Sequence, residues 1–410
     1  MYKIKGRIQH YAWGGKTFLP SLLSIKNDDQ LPFGEYWLGT HGSGPSLVHL
    51  TGNATTPLPA LIQSEKKRYL GEKVTNQFNG LPFLFKILDV HDMLSIQVHP
   101  SKSSAEAGFE KENQLGIPLT APNRNYKDQN HKPEVMVALS EFWLLHGFAH
   151  DIEKRVNEFE ILSLFKEDFL QGGIKGLYKI IMELPVETVD DILEALSARI
   201  IDLYHAGKLE KSSPDFWAAR AMETFKQDDG HFDRGIFSIY LFNILRLEPG
   251  QAIFQGAGMP HAYLEGQNIE LMSNSDNVLR AGLTPKHIDI PELLSNTAFV
   301  PTTPSIMDGL LGLPHQVYDC PVNDFILYAD CIQAGEERVI SFEAPGILLV
   351  MEGSASWSTL NASIDTSGLD SLFVSAGEEL TIRANSKTSF FIATVPSTPS
   401  TPSTSSTPNA

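Results

Sequence analysis

The chain has 410 residues, 42% of them hydrophobic and 20% charged, with a formal net charge of −17. That length supports two or three cores of ordinary globular composition. The acidic balance excludes the basic footprint of a broad nucleic-acid binder, and no apolar run approaches the ~20 residues that span a bilayer. The first residues mix charge and polarity, so no secretory leader is expected. Cys320 and Cys331 are the two cysteines, too few for a disulfide framework, and a cytoplasmic location is expected. In so acidic a chain, a phosphorylated ligand would need a local basic pocket.

In chain order, short strands broken by Gly and Pro are predicted at 1–8, 36–39, 45–50 and 83–89, then a surface helix over 101–113. Residues 94–99, LSIQVH, alternate strictly. Ser95, Gln97 and His99 share one face of that strand, Leu94, Ile96 and Val98 share the other, and Pro100 stops pairing. A polar strand face that meets water is ordinary. This one, however, carries a hydroxyl, an amide oxygen and an imidazole in a row, so Gln97 and His99 could grip one metal ion with Ser95 beside it. Strand character returns over 131–147, with Lys132 and Glu134 on one face and Val135 and Val137 on the core side.

From 151 to about 232 the apolar period becomes helical, most clearly at Val189, Ile192, Leu193, Leu196, Ile200 and Leu203. Thr188 and Asp191 read as a capping box at the start of that helix. Strand patterning resumes at about 236 and runs to 310. Residues 317–395 are β-rich, with strands at 325–331, 338–342, 347–351, 372–374, 380–382 and 390–395, as in a sandwich or jelly roll. The Ser/Thr/Pro stretch 396–410 is expected to be disordered.

Residues 250–265, GQAIFQGAGMPHAYLE, form the second informative stretch. They read as a strand, a tight glycine turn, and a second strand that sets His261 beside the turn. His261 and Pro260 stand where a dinucleotide fingerprint would need its third glycine and a helix start. The spacing resembles the second motif of cupins, with Gly256 for the usual Pro and Glu265 for the usual Asn. Gln97-Val98-His99 resembles the His-x-His of the first cupin motif, with Gln for the first His. Together with Glu134 from the next strand, Gln97, His99 and His261 make a mixed N/O set that suits Zn²⁺, with Mn²⁺, Fe²⁺ or Co²⁺ as alternatives. A similar strand–turn outline recurs at 368–377, but no histidine follows His315, so the C-terminal lobe reads as a degenerate, metal-free copy.

Longer motifs resemble the type I mannose-6-phosphate isomerase (phosphomannose isomerase) family: YAWGG at 11–15, EYWLGTH at 35–41, LPFLFK at 81–86, LSIQVHP at 94–100, HKPE at 131–134, and 256–280. The similarity runs to about 295 and more weakly to 395; Gly42 departs from the family's usual Pro. It implies a mainly β protein with a helical insert: a catalytic cupin-like jelly roll at 1–148 and 233–316, the insert at 149–232, and a second, metal-free jelly roll at 317–395. It also implies interconversion of mannose 6-phosphate and fructose 6-phosphate through a cis-enediol. The metal, one zinc ion per chain, would be held by Gln97, His99, Glu134 and His261. Lys86 and Ser95 match positions that bind the substrate phosphate, and Glu270, Asp276 and Arg280 match active-site positions. Arg280 suits enediolate or phosphate charge through its fixed donors. The proton carrier stays open among Lys132, His41 and Glu270; a divalent cation beside Lys132 would repel its proton, which suits a base.

Two other classes compete with a metal-dependent isomerase: a non-catalytic cupin that binds sugar phosphate, and an Fe²⁺ oxygenase. A decayed site would have lost some of these residues, and Gln97 with Lys86 and Arg280 fits a phosphate substrate better than a facial triad. The expected partner is a small sugar phosphate rather than nucleic acid or membrane, and the chain is expected to be a monomer or weak homo-oligomer.

Overall fold

The computed structural model describes residues 1–50, 52, 54–225 and 230–396. The Ser/Thr/Pro stretch expected to be disordered lies outside the described residues, apart from Pro396. The molecule is mostly antiparallel β-sheet with helices: a 12-stranded, an 8-stranded and a 4-stranded sheet.

The 12-stranded sheet folds over on itself through one long strand, His261–Ser273. Its 261–265 portion pairs with Phe142–Ala149 and Ile96–Val98, and its 266–273 portion with Phe83–Val90 and Glu134–Ala138. Gly266 makes the corner at φ 127, and a Cβ there would lie 2.6 Å from the Glu141 carbonyl oxygen. No other residue type fits that corner. Between the two layers, Leu88, Val90, Met136, Phe142, Leu144 and Tyr263 fill one end of the interior. The polar site occupies the other end.

The outer faces carry the rest of the molecule. Phe85, Ile87, Val135, Val137, Ile269 and Leu271 pack against Ile347, Leu349, Phe373 and Phe391 of the 8-stranded sheet. Val135 and Val137 thus face the core as their alternation predicts. Phe83–Val90 is buried on both faces, so Lys86 at its centre needs compensating charge. On the other side, Ile96, Val98, Leu145, Phe148 and Leu279 meet Leu177, Leu193 and Trp217 of the helices.

Helix Val186–His205 buries Val189, Leu193, Leu196 and Ile200, one stripe at helical spacing. Thr188 and Asp191 do not cap it. Pro185 precedes the first helical residue and its carbonyl accepts from Thr188 and Val189, so Thr188 already lies in the first turn. Two further segments predicted as strand are helical, Ile236–Leu241 and Ile290–Asn296. The first is buried on every side, and such a short apolar run carries no period to separate helix from strand. No helix among the described residues is long and apolar enough to cross a membrane.

The chain's start belongs to a different sheet from the one its sequence position suggests. Tyr2–Lys5 pairs with Ser371–Val374 and Leu47–His49, in the sheet of the C-terminal strands. After Gly6, Arg7–Gln9 pairs with Glu35–Gly39 in the other sheet. A Cβ on Gly6 would lie 2.4 Å from the Trp37 carbonyl oxygen, so only glycine permits this crossing.

Glu265, where the cupin pattern usually has Asn, anchors the helices to the corner strand. It accepts from Lys211 at 2.5 Å and from Arg220. Burial pushes its carboxyl up, but the two cations outweigh that and hold it below the ordinary value. A depressed carboxyl stabilises the fold above its unfolded value near ~4.3, and that contribution is lost as pH falls through the folded value. Glu265→Gln is therefore expected to lower the urea midpoint modestly at pH 7, with the gap to the parent narrowing below about pH 4. An equal gap at all pH values would remove the ion pairs as its cause.

Candidate active site

Four strands bring one rung of side chains to the open end of the interior. Arg280 lies opposite Gln97, Gln97 opposite His261, and His261 opposite His146. Residues on one rung point to the same face, so Gln97, His261 and Arg280, distant in sequence, share a wall.

His99 and His261 are set for ligation by their other ring nitrogens. His99 Nδ1 lies 3.2 Å from the Asn277 carbonyl oxygen and His261 Nδ1 lies 2.9 Å from that of Met259. A carbonyl only accepts, so each ring donates from Nδ1 and presents an Nε2 lone pair. The two Nε2 atoms lie 3.3 and 3.4 Å from the Glu134 carboxylate oxygens. Burial, then Lys132, holds His99 down at about 4, so the ring is neutral near pH 7. A neutral lone pair on His99 aimed at a carboxylate repels it. His99 Nε2 is fully buried and makes no hydrogen bond, which is costly unless something electropositive sits there. One ligand atom from each of His99, Glu134 and His261 lies within 4.8 Å of the others. This donor set fits a divalent cation.

The surrounding charges favour the same fit. Lys132 Nζ donates to Glu134 at 2.6 Å. Burial pushes the Glu134 carboxyl up, but Lys132 and then His99 outweigh it and hold it well below the ordinary range. Lys86 lies between Glu270, at 2.8 Å, and Glu35, at 3.4 Å. Burial alone would lower its pKa, and these carboxylates raise it above the ordinary value, so the pair stays ionised. Tyr263 donates to the second Glu270 oxygen at 2.9 Å, and Trp37 donates to Glu35. Three buried carboxylates and two lysines thus line this end of the site.

Beside this cluster opens a cleft of about 630 Å³, walled by Tyr11, Trp13, Glu35, Ser95, Gln97, Arg280, Thr284 and Lys286, with Thr224 and Phe225 closing one side. Tyr11 and Trp13 stack on one another with centroids 5.4 Å apart. Arg280 and Lys286 have no ion-pair partner among the described residues. Desolvation, then Arg280 and Lys127, pushes Lys286 below the ordinary lysine value. Adjacent cations without counter-charge mark a place for an anion. His41 Nε2 lies 3.3 Å from Asp276, at the edge of the site, with its ring against Trp37.

Residues 1–150 match the family described as phosphomannose isomerase type I, catalytic domain. Mannose-6-phosphate isomerase of Escherichia coli (strain K12) is 36% identical over 394 residues, covering 94% of this chain and 98% of that protein. The Homo sapiens protein of the same name is 32% identical over 430 residues, covering 96% and 97%. The chain belongs to the type I phosphomannose isomerase family. Among solved structures, mannose 6-phosphate isomerase from Salmonella typhimurium bound to its substrate fructose 6-phosphate and a zinc atom superposes with a TM-score of 0.84 at 34% identity, covering 96% of this chain and 99% of that one.

Against the sequence expectations, this phosphomannose isomerase family member brings His99, Glu134, His261 and Lys132 together, with Gln97 on the same rung as His261. Ser95 and Arg280 line the cleft. Lys86 lies between Glu270 and Glu35. His131 of the HKPE motif turns away to Asp324, 3.0 Å from its Nε2. Sequence reasoning missed Lys286, the Tyr11–Trp13 wall and Asn277. The Asn277 carbonyl orients His99, while its side chain binds the backbone of Lys127, Asp128 and Asn130. Only the density of polar residues over 274–277 hinted at it.

Proposed function

We propose that the chain interconverts mannose 6-phosphate and fructose 6-phosphate through a cis-enediol, with one zinc ion held by Gln97, His99, Glu134 and His261. The observation that carries this reading is adjacency. A ligand set that needs a cation adjoins, along the Arg280–Gln97–His261 rung, a cleft rimmed by cations that need an anion. A sugar phosphate supplies both: hydroxyl and carbonyl oxygens at one end, a phosphate at the other.

When bound, the zinc ion supplies Lewis-acid polarisation of the sugar oxygens. The chain's own residues do the rest. Ser95 and Lys286 receive the phosphate, and the Tyr11–Trp13 wall packs against the sugar. Lys132, as the neutral amine that a neighbouring divalent cation would favour, takes the proton from C2 of the opened aldose and returns it to C1, with His41 and Glu270 as the other carriers. Arg280 steadies the enediolate charge that develops between those steps. Lys86 fixes Glu270 and Glu35 beside the reacting carbons, and Asp276 orients His41. Burial excludes water, which strengthens each of these electrostatic contacts.

We also read the folded-over 12-stranded sheet and the paired 8- and 4-stranded sheets as two cupin-like jelly rolls, the second without a metal, with the helices as an insert. The C-terminal unit has an apolar core built on Trp357, Leu380, Ile382 and Phe390, which supports a scaffold role. The two buried thiols, Cys320 and Cys331, suit a reducing cytoplasm.

A coupled assay of fructose 6-phosphate formation, run with and without chelator and after zinc is restored, tests the reading. Chelator-sensitive, zinc-restored isomerisation is expected; none with any hexose phosphate would end it. Lys286→Met is expected to raise KM for mannose 6-phosphate by about tenfold or more with kcat little changed, since it removes binding common to substrate and transition state. An unchanged KM would place the phosphate elsewhere.

A further inference from the structure

The turn that carries Lys286 is held by a residue far from it in sequence. Asp233 follows the helical segment and is 4% exposed. Its Oδ1 accepts from the backbone N–H of Gly235 at 2.7 Å and of Leu283 at 2.8 Å, and its Oδ2 from that of Thr284 at 2.9 Å. The turn so gripped is an unfavourable one. Leu283, a bulky non-glycine residue, sits at φ 53, and Gly282 at φ 132 packs so closely that a Cβ on it would lie 2.3 Å from the Gly235 Cα. A bulky residue in the left-handed region is strained and persists only where its surroundings enforce it. From Thr284 the line continues outward, because its Oγ1 accepts from the backbone N–H of Lys286 at 3.2 Å.

We propose that Asp233 is a positioning residue for the anion end of the cleft. Its carboxylate enforces the 282–284 turn, and the turn sets Thr284 and Lys286 at the rim. Arg280 does not depend on it. That residue is fixed by strand pairing with Gln97, so loss of Asp233 loosens the rim and leaves the reacting end in place. A loop residue outside the metal site thereby contributes to substrate affinity through backbone geometry alone. The assignment rests on the isomerase reading for the identity of the ligand as a sugar phosphate, and on nothing else from it.

The test uses the zinc-loaded full chain and the near-isosteric Asp233→Asn, in which one oxygen becomes a donor facing an N–H. KM for mannose 6-phosphate is expected to rise about tenfold with kcat falling less than about threefold. The thermal shift induced by inorganic phosphate should shrink in parallel. In combination with Lys286→Met the KM effects should be less than multiplicative, since the two changes remove one contact. A purely structural role predicts instead multiplicative effects, or a loss in kcat at constant KM, and either result overturns the proposal. If the parent protein proves not to isomerise hexose phosphates, the function reading fails while the phosphate thermal shift still decides Asp233. Should Asp233→Asn not fold, Gly235→Ala presses on the same turn with the carboxylate intact, its Cβ 2.6 Å from the Leu283 nitrogen, and the same KM increase is expected. Failure of both variants to fold would overturn the proposal, because the carboxylate would then serve the fold and not the rim.

Discussion

Glu134→Gln is expected to abolish zinc binding while leaving the metal-free fold largely intact. Glu134 is the one residue touched by both imidazoles and by Lys132. Removing its charge costs the ion its single anionic ligand, a loss expected to exceed about 100-fold in affinity, since outer-sphere partners alone are worth 10–100-fold. Two effects on the metal-free protein oppose each other. Lys132, buried at 9% exposure, loses its counter-charge, and breaking such pairs typically costs about 3–5 kcal/mol. Against that, a glutamine amide can donate to the His99 Nε2 lone pair that the carboxylate repels, and His99 Nε2 gains the hydrogen bond it lacks. Zinc at 100 times its dissociation constant should stabilise the parent by about 2.7 kcal/mol and the variant not at all. Thermal unfolding with and without zinc, together with metal content after dialysis, measures this. A variant that retained one zinc per chain would show that Glu134 is not a ligand.

Lys132→Met is expected to keep zinc and lower turnover by about 10²–10⁴, the usual worth of a positioned acid–base group. The rival carriers are more heavily engaged. Glu270 accepts from Lys86 on one oxygen and from Tyr263 on the other. His41 is tied to Asp276 through Nε2, while its Nδ1 accepts from the Ser43 backbone N–H at 3.3 Å. Among the described residues Lys132 has one hydrogen-bond partner, Glu134 at 2.6 Å, and a bound cation would draw on that same carboxylate. Solvent hydrogen should cease to appear at C2 of recovered mannose 6-phosphate in step with the loss of kcat. Near-normal turnover with full metal content would pass the role to His41 or Glu270.

Local chemistry made much of the site legible. Strict alternation over 94–99 separates Gln97 and His99 from Ile96 and Val98, and the structure buries the two apolar residues against the helices. Spacing likewise placed Lys132 with Glu134. Lys86 shows where such reasoning stops. A lysine inside an apolar strand announces an anion, but the sequence does not say whether that anion is substrate or protein. In the structure Glu270 pairs with Lys86 from 184 residues away, by a cross-strand pairing that no local pattern encodes.

The sequence by itself determined the β-rich class, the helical middle and the family. Each of these depends on residue identity and on spacing within a few turns or strand positions. Only the tertiary structure decided which sheet the first strand joins, that Lys286 rims the cleft, and that Asn277 orients His99. It also decided that the Ile96–Val98 strand, shorter than the alternation over 94–99 predicts, presents Gln97 against both His261 and Arg280. The physical reason is that strand register and partner choice are set by long-range packing and by close approaches such as those at Gly6 and Gly266. Side-chain period records which face of a strand is buried, not what it is buried against.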